Sequence, residues 1–156
     1  MAKITTISDK GAALIKHFEG CKLKAYPDPA TGGVPWTIGY GNTQYKDGRS
    51  VKRGDVITQQ QAEEMFADLV NTRYASAVVN LIRTTVNQNQ FDALVSFAYN
   101  CGIGNLQKST LLKKVNVNPS DQSIRLEFAK WNKAAGKVMN GLTRRRKAEA
   151  DMYFSL

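Results

Sequence analysis

The stretch HFEGCKLKAYPDPATGGVPWTIGYGN, residues 17–42, carries the polar groups around which the rest of the chain can be organised. It contains two isolated acids, Glu19 and Asp28, and a threonine between apolar neighbours, Thr37. The alternating run CKLKAY predicts one strand and the run WTIGY predicts a second. Prolines and glycines between them predict a loop. The stretch therefore predicts a small antiparallel sheet that holds a few isolated polar side chains.

A helix is predicted to precede this sheet and to end at Glu19. Ser8 is a favourable N-cap residue, Leu14 and Phe18 lie on one helical face, and Gly20 stops the helix. The C-terminal end of a helix is an unfavourable place for a carboxylate, because the helix dipole is negative there. Glu19 is therefore a candidate for a functional role.

The remainder of the chain is predicted to be mostly helical. Thr58 opens a capping box, and the apolar pattern behind it predicts a connecting helix over about residues 58–83. Shorter helices are predicted from Asn87 to Gly102, from Ser109 to Val115, from Pro119 through Trp131, and from about Leu142 onward. The expected fold class is α+β in a single domain over residues 1–156, with a sheet lobe at about 20–57 and a helical lobe at about 84–156 that includes the N-terminal helix.

Composition narrows the class of protein without deciding its function. The 156 residues are 42% apolar and carry a formal charge of +9, so we expect a folded core and a positive surface that attracts anionic partners. Nucleic acid, anionic lipid and anionic cell-wall polymer all qualify. Cys21 and Cys101 lack metal-ligand spacing, which favours two free buried thiols and no zinc; a disulfide between them stays open. The N-terminus has no apolar leader, so we expect the protein to stay in the cytoplasm until released.

The two acids suit the cleavage of a glycosidic bond. That reaction needs one carboxyl that donates a proton to the leaving oxygen and a second that stays ionised to activate water. Glu19, beside an apolar residue at a helix end, and Asp28, in a polar loop, could divide those roles. For an arbitrary pair of acids, a solvated helix end and a turn residue are the commoner explanation.

Several ordered motifs strengthen the enzymatic interpretation. The pattern E-G-x-x-L-x-x-Y begins at Glu19, an Asp follows at position 28, and T-I-G-Y-G begins at Thr37. With the segments QFDALVSFAYNCGIG at 90–104 and WNKAAGKVMNGLTRRRKAE at 131–149, the sequence resembles the phage lysozymes of the T4 type, which are muramidase endolysins. The resemblance implies a lysozyme-like fold, with sheet and helical lobes joined by a long helix. It also implies hydrolysis of the β-1,4 bond between N-acetylmuramic acid and N-acetylglucosamine in peptidoglycan.

The resemblance also implies roles for individual residues. Glu19 would be the general acid, while Asp28 and Thr37 would position the attacking water, in a reaction that inverts the anomeric centre. Neither a cofactor nor a metal is implied. The expected protein is a monomeric endolysin that lyses the host and reaches the wall through a holin-type membrane pore.

Three further positions are assigned by the same resemblance. Tyr99 and Asn100 would line the substrate cleft. Arg144 would pair with the catalytic glutamate, although Arg145 or Arg146 could take that place. At least two of the four basic residues at 144–147 are expected on a solvated face.

Two departures from the T4 type are visible. Asp28 and Thr37 are nine positions apart, three more than in that type, so the loop Pro29–Pro35 is enlarged and the placement of Thr37 is the less secure. Asn42 stands where that type has a histidine, and a structural His–Asp pair is expected to be absent.

Two alternatives stay open at this point. A lytic transglycosylase would use a single catalytic acid and form an anhydro-sugar. A basic nucleic-acid-binding module would use the C-terminal arginines, although no recognition motif for nucleic acid is present.

Overall fold

A computed structural model describes residues 3–156 of the chain. The helices in this part are α1 (Asp9–Glu19), α2 (Gln59–Leu69), α3 (Ser76–Leu81), α4 (Gln88–Cys101), α5 (Ile103–Lys108), α6 (Thr110–Val117), α7 (Ile124–Ala129) and α8 (Asn140–Tyr153), with a π-helical segment at Val70–Ala75. The strands are β1 (Lys22–Tyr26), β2 (Thr37–Gly39), β3 (Lys133–Ala134) and β4 (Lys137–Val138). None of these helices combines the length and apolar character needed to cross a membrane.

The chain divides into two compact units. The sheet unit is Lys16–Arg73, and the helical unit comprises the residues up to Ile15 together with Tyr74–Leu156. The chain passes from one unit to the other within α1 and again within the π-helical segment.

The sheet unit contains the predicted strand pair in a shorter and less regular form. Strands β1 and β2 are antiparallel, with Tyr26 opposite Thr37 and Lys22 opposite Gly39, so β1 holds extra residues relative to β2. The predicted alternation along β1 is therefore wrong in part, because this bulge breaks the two-residue period and leaves Leu23 38% exposed.

The segment that follows β2 in the sheet unit, residues 43–50, does not form a further strand. Only an isolated bridge between Gln44 and Ser50 forms there. The neighbouring backbone is held instead by turns, in which Val51 N–H donates to Thr43 O at 3.0 Å and Tyr45 N–H donates to Arg49 O at 2.9 Å.

The predicted connecting helix is present but is not uniform. Thr58 and Gln61 form both hydrogen bonds of a capping box before α2, and helical structure then runs to Leu81. The π-helical segment Val70–Ala75 interrupts it, and segments of this kind locally change the direction of a helix.

The helical unit is organised around α4, whose residues 91–98 are all buried. The Asn87 and Gln90 capping box starts this helix as predicted, and α8 packs along it. Phe97 contacts the rings of Phe128 and Trp131 edge-on at centroid distances of 6.1 and 5.4 Å.

The helical unit differs from the sequence prediction in three features. Helix α7 ends at Ala129, so Trp131 lies beyond it; α5 and the β3–β4 hairpin were not expected. All three differences involve elements of six residues or fewer, which are too short for apolar periodicity to define.

Cys21 and Cys101 are both free thiols, as the sequence favoured, but both are half-buried rather than buried.

Candidate active site

Glu19 is the last residue of α1. Ser8 caps the start of this helix by accepting a hydrogen bond from Gly11 N–H at 3.3 Å. Gly20 ends it with φ of +68°, a left-handed conformation that glycine adopts without strain, and its N–H donates to Lys16 O at 3.0 Å. The Glu19 side chain is half-buried at this end.

Polar contacts fix the last turn of α1 against α2. The Lys16 ammonium binds the Glu63 carboxylate, which also accepts from the Tyr40 hydroxyl at 2.8 Å and from Gln59 Nε2 at 2.8 Å. The hydrogen bond from Lys16 lowers the pKa of Glu63, while burial, together with the Glu63 hydrogen bond, raises the pKa of Tyr40 to about 12. Because Lys16 precedes Glu19 by one helical turn, this cluster positions the end of the helix that carries Glu19.

Asp28 begins a loop that is closed by its own backbone. Its N–H donates to Gly33 O at 3.0 Å, and its carbonyl accepts from Gly32 N–H at 2.7 Å. One carboxylate oxygen, Oδ1, accepts from Ala30 N–H at 2.7 Å in an Asx turn. Within residues 3–156 no hydrogen-bond donor contacts the second oxygen, so the half-buried carboxylate keeps an acceptor for a ligand or water.

Thr37 is held by the strand pair rather than by the loop. It lies opposite Tyr26 in the strand pair, and Tyr26 precedes Asp28 by two positions in the sequence. The Thr37 hydroxyl is 3.5 Å from Pro35 O, which is at the limit of hydrogen bonding and leaves it able to bind another acceptor. The enlarged loop therefore does not displace Thr37 from the strand that carries it.

Tyr26 links the three predicted catalytic residues. Burial raises the pKa of the Tyr26 phenol, and the negative charge of Glu19 raises it further, so Glu19 acts electrostatically on this side chain. Tyr26 is also the strand partner of Thr37 and lies two residues from Asp28. Tyr26 is thus related to Glu19 by charge, to Thr37 by strand pairing and to Asp28 by two positions in the sequence.

Asn42 closes a tight turn after β2. Its backbone exchanges hydrogen bonds with Ile38 at 2.8 and 2.9 Å, and Gly39 and Gly41 take positive φ within the turn. The side chain is buried, and its amide donates to Met65 O at 3.4 Å. At this position the chain makes an amide-to-backbone contact between the turn and α2.

The predicted substrate-binding residues lie at the end of α4, in the helical unit. The Tyr99 ring packs against Tyr74 at a centroid distance of 4.9 Å. Asn100 is exposed, and its Oδ1 accepts from Arg146 Nη2 at 2.9 Å. This bond fixes the amide orientation, with Oδ1 toward the arginine and Nδ2 available to donate to a ligand.

The basic run on α8 contains two different environments. Arg144 is exposed, whereas Arg145 and Arg146 are 3% and 1% exposed. Both buried guanidiniums bind Glu149: Arg145 Nε is 3.4 Å from Oε2, and Arg146 Nη2 is 3.1 Å from it. Ser96 Oγ donates to the same oxygen at 2.6 Å. The pairing of Glu19 with Arg144, or with Arg145 or Arg146 in its place, stays a prediction.

Comparison with known proteins identifies the family. The sequence profile named "Phage lysozyme" matches residues 16–149. The chain belongs to the phage lysozyme family. It is 44% identical over 149 residues to an endolysin of Bacillus phage B103. The aligned region covers 96% of this chain and 54% of that relative. The chain thus spans about half the length of the first curated relatives it matches.

Two solved structures agree with this phage lysozyme assignment. An endolysin from Escherichia coli O157:H7 phage FAHEc1 superposes with a TM-score of 0.86 at 40% identity, over 99% of this chain and 96% of that one. The muramidase domain of SpmX from Asticaccaulis excentricus gives 0.84 at 32% identity, over 98% and 100%. The predicted α+β, lysozyme-like fold class is confirmed, as is the prediction of a lysozyme-class enzyme at the level of the family.

Sequence reasoning missed the residues that support this phage lysozyme site. Lys16 and Glu63 are 47 positions apart, so no local pattern relates them. Tyr26 was part of the motif but received no role. Glu149 follows Arg145 by four positions and Arg146 by three, and this spacing was a usable signal for an ion pair on α8.

Proposed function

We propose that this chain hydrolyses the β-1,4 bond between N-acetylmuramic acid and N-acetylglucosamine in bacterial peptidoglycan, as a phage endolysin that lyses the host. The observation that carries the proposal is the relation of the three predicted catalytic residues to Tyr26 in the sheet unit: Thr37 pairs with it, Asp28 follows it by two positions, and the charge of Glu19 acts on its phenol. The names of the relatives, endolysin and muramidase domain, support this choice of substrate and bond.

The two carboxyl groups differ in the way that the reaction requires. Glu19 is half-buried at a helix end, where its charge raises the pKa of the Tyr26 phenol, and it serves as the acid that protonates the leaving oxygen. Asp28 has one oxygen bound by Ala30 N–H and one open to a water. The Thr37 hydroxyl, held by β2, supports that water, which attacks the opposite face of the sugar and inverts the anomeric centre.

The distribution of charge favours the wall over nucleic acid as the anionic partner. Arg145 and Arg146, two of the arginines that a nucleic-acid module would use, are buried against Glu149. The net charge of +9 still concentrates the protein on an anionic cell wall, an effect that added salt weakens.

The catalytic test uses purified peptidoglycan and mass analysis of the products. Hydrolysis gives reducing ends, and an NMR time course should show the inverted anomer first. Glu19→Gln should lower the rate about 10²–10⁴-fold while the protein stays folded. Asp28→Ala should abolish hydrolysis, and Glu64→Gln, an exposed carboxylate on α2, is the control that should keep the wild-type rate.

Each contrary result has a definite meaning. Anhydro products would identify a lytic transglycosylase. Normal rates for Glu19→Gln would overturn the assignment of the acid, and near-normal rates for Asp28→Ala would overturn the two-carboxylate mechanism.

The cellular part of the proposal concerns access to the substrate. The protein acts as a monomer from the host cytoplasm and reaches the wall when a holin-type pore opens the membrane. Expression with and without such a pore, followed by culture turbidity, tests this; lysis at the same rate without a pore would contradict it. Light scattering on the purified protein tests the oligomeric state.

A further inference from the structure

An open cavity of about 400 Å³ lies in the sheet unit, outside the group formed by Glu19, Asp28 and Thr37. Its walls come from the end of the enlarged loop, from the residue before β2, and from the turns at 43–53. The residues that matter for its chemistry are Val34, Trp36, Gln44, Val51, Lys52 and Arg53. The volume lies within the range usual for small-ligand sites.

Hydrogen bonds hold the walls in place. The Thr31 hydroxyl donates to Val34 O at 2.7 Å, and Val51 N–H donates to Thr43 O at 3.0 Å. Asp55 Oδ2 accepts from Lys52 N–H at 2.9 Å and from the Tyr45 hydroxyl at 2.6 Å. The cavity is therefore preformed, which lowers the entropic cost of binding.

The lining combines apolar surface with cationic side chains. Val34 is 78% exposed, Val51 is buried, and the Trp36 indole is half-buried. The side chains of Lys52 and Arg53 make no ion pair within residues 3–156, and the Lys52 ammonium acts on the Asp55 carboxylate only through space. Arg49 in the same segment, by contrast, is already paired with Asp47 at 2.7 Å.

This combination selects a ligand that carries both carboxylates and apolar groups. The unpaired cations favour an anion, and the exposed valine and indole favour methyl groups or the apolar face of a sugar. A phosphate polymer would bind to Lys52 and Arg53 but has no apolar groups to contact Val34 and Trp36. In peptidoglycan, the muramic acid residues carry short peptides that contain both alanine methyls and free carboxylates.

We propose that this cavity binds the acidic peptide attached to a muramic acid residue of the substrate. Lys52 and Arg53 bind its carboxylates, Trp36 and Val34 contact its apolar groups, and Gln44 supplies an amide for its backbone. The proposal rests on the proposed function, because it takes peptidoglycan as the substrate. It gives the enzyme a second contact with the wall, specific for strands that still carry peptides.

The binding test uses Trp36 as the reporter in a Trp131→Phe background, which leaves a single tryptophan. The ligand is N-acetylmuramic acid bearing an alanyl-glutamate peptide with free carboxylates; its diamide and the peptide-free sugar are the comparison ligands. We expect the acid to change Trp36 fluorescence saturably. Lys52→Gln/Arg53→Gln should weaken the affinity about tenfold or more, because bonds to charged groups are lost.

The matched control removes the same charge from the same unit. Lys22 and Lys24 are exposed on β1 and do not line the cavity, so Lys22→Gln/Lys24→Gln should bind the acid within about twofold of wild type. The proposal would be overturned if the diamide bound with the same affinity as the acid, or if both double variants lost the same affinity for the acid. It would also be overturned if polyphosphate competed with the acid for the cavity as effectively as the acid itself binds.

A rate comparison separates this proposal from the proposed function. Lys52→Gln/Arg53→Gln should slow the hydrolysis of peptide-bearing glycan strands and leave that of enzymatically peptide-stripped strands unchanged. Equal slowing on both substrates would contradict a peptide site. If wild type cleaves neither substrate, the proposed function fails, and the fluorescence titration still decides whether the cavity binds the peptide.

Discussion

Replacing Glu149 by glutamine tests the energetic role of the ion cluster beneath the end of α4. The side chain is fully buried, accepts from Ser96 Oγ, and lies between the guanidiniums of Arg145 and Arg146. Glutamine keeps the shape but removes the negative charge that two buried guanidiniums face. Removing one partner of such a group costs about 3–5 kcal/mol of the free energy of unfolding.

A surface carboxylate two residues further along α8 provides the control. Asp151 also binds two cations, Arg125 at 2.6 Å and Lys147 at 3.0 Å, but its side chain is 49% exposed. Asp151→Asn makes the same chemical change where water screens the charges, so it should cost about 0–1 kcal/mol. The two variants therefore separate burial from the number of ion pairs.

Urea denaturation followed by circular dichroism measures both free energies, and thermal unfolding provides a second readout. For a chain of this size, the expected loss corresponds to a fall in Tm of about 6–20 °C for Glu149→Gln and about 0–4 °C for Asp151→Asn. If the two variants lose the same free energy within about 1 kcal/mol, the buried cluster does not stabilise the helical unit in the way its geometry indicates.

Two other predictions concern packing and pH. Gly11→Ala should cost about 1–3 kcal/mol, because the added Cβ would lie 2.6 Å from Asp92 Cγ. Gly104→Ala on α5 meets nothing within 4 Å and should stabilise by up to about 1 kcal/mol, so equal urea midpoints for the two variants would contradict the packing argument. Burial raises the pKa of Glu127, but hydrogen bonds from two lysines outweigh this and set it below the usual 4.5. The paired carboxylate therefore stabilises the fold above about pH 4.5, and this contribution is lost as the pH falls through the folded-state pKa. Glu127→Gln should be less stable at about pH 7 and lose less stability on acidification to about pH 3; parallel curves would refute the assignment.

The features that sequence predicted well are those that short-range chemistry determines. The capping boxes at Thr58 and Asn87 form as predicted, because each needs only a side chain and a residue three positions later. Glu19 ends its helix where Gly20 requires it. Local hydrogen bonding and backbone freedom are sufficient for these positions.

The features that sequence did not predict depend on distant partners. The bulge in β1 arises from its pairing with β2, and no local pattern within CKLKAY indicates it. Arg145 and Arg146 belong to a run that is typical of a solvated surface, and only the packing of α8 on α4 shows that both are buried. For the candidate site, Asp28 and Thr37 were predicted from a motif and stay predictions, whereas the Lys16–Glu63 contact in the turn before Glu19 could not be predicted from any local pattern.

The pairing of Tyr26 with Thr37 has a consequence for how this enzyme can be varied. The loop between them is closed within itself by the bonds between Asp28 and Gly33, so its length is decoupled from the strands. Adding residues to such a loop costs little closure entropy. The exposed tip of the loop, between Ala30 and Thr31, is therefore a graft point, where a foreign peptide can be inserted to change what the protein adheres to while the strand that carries Thr37 keeps its register.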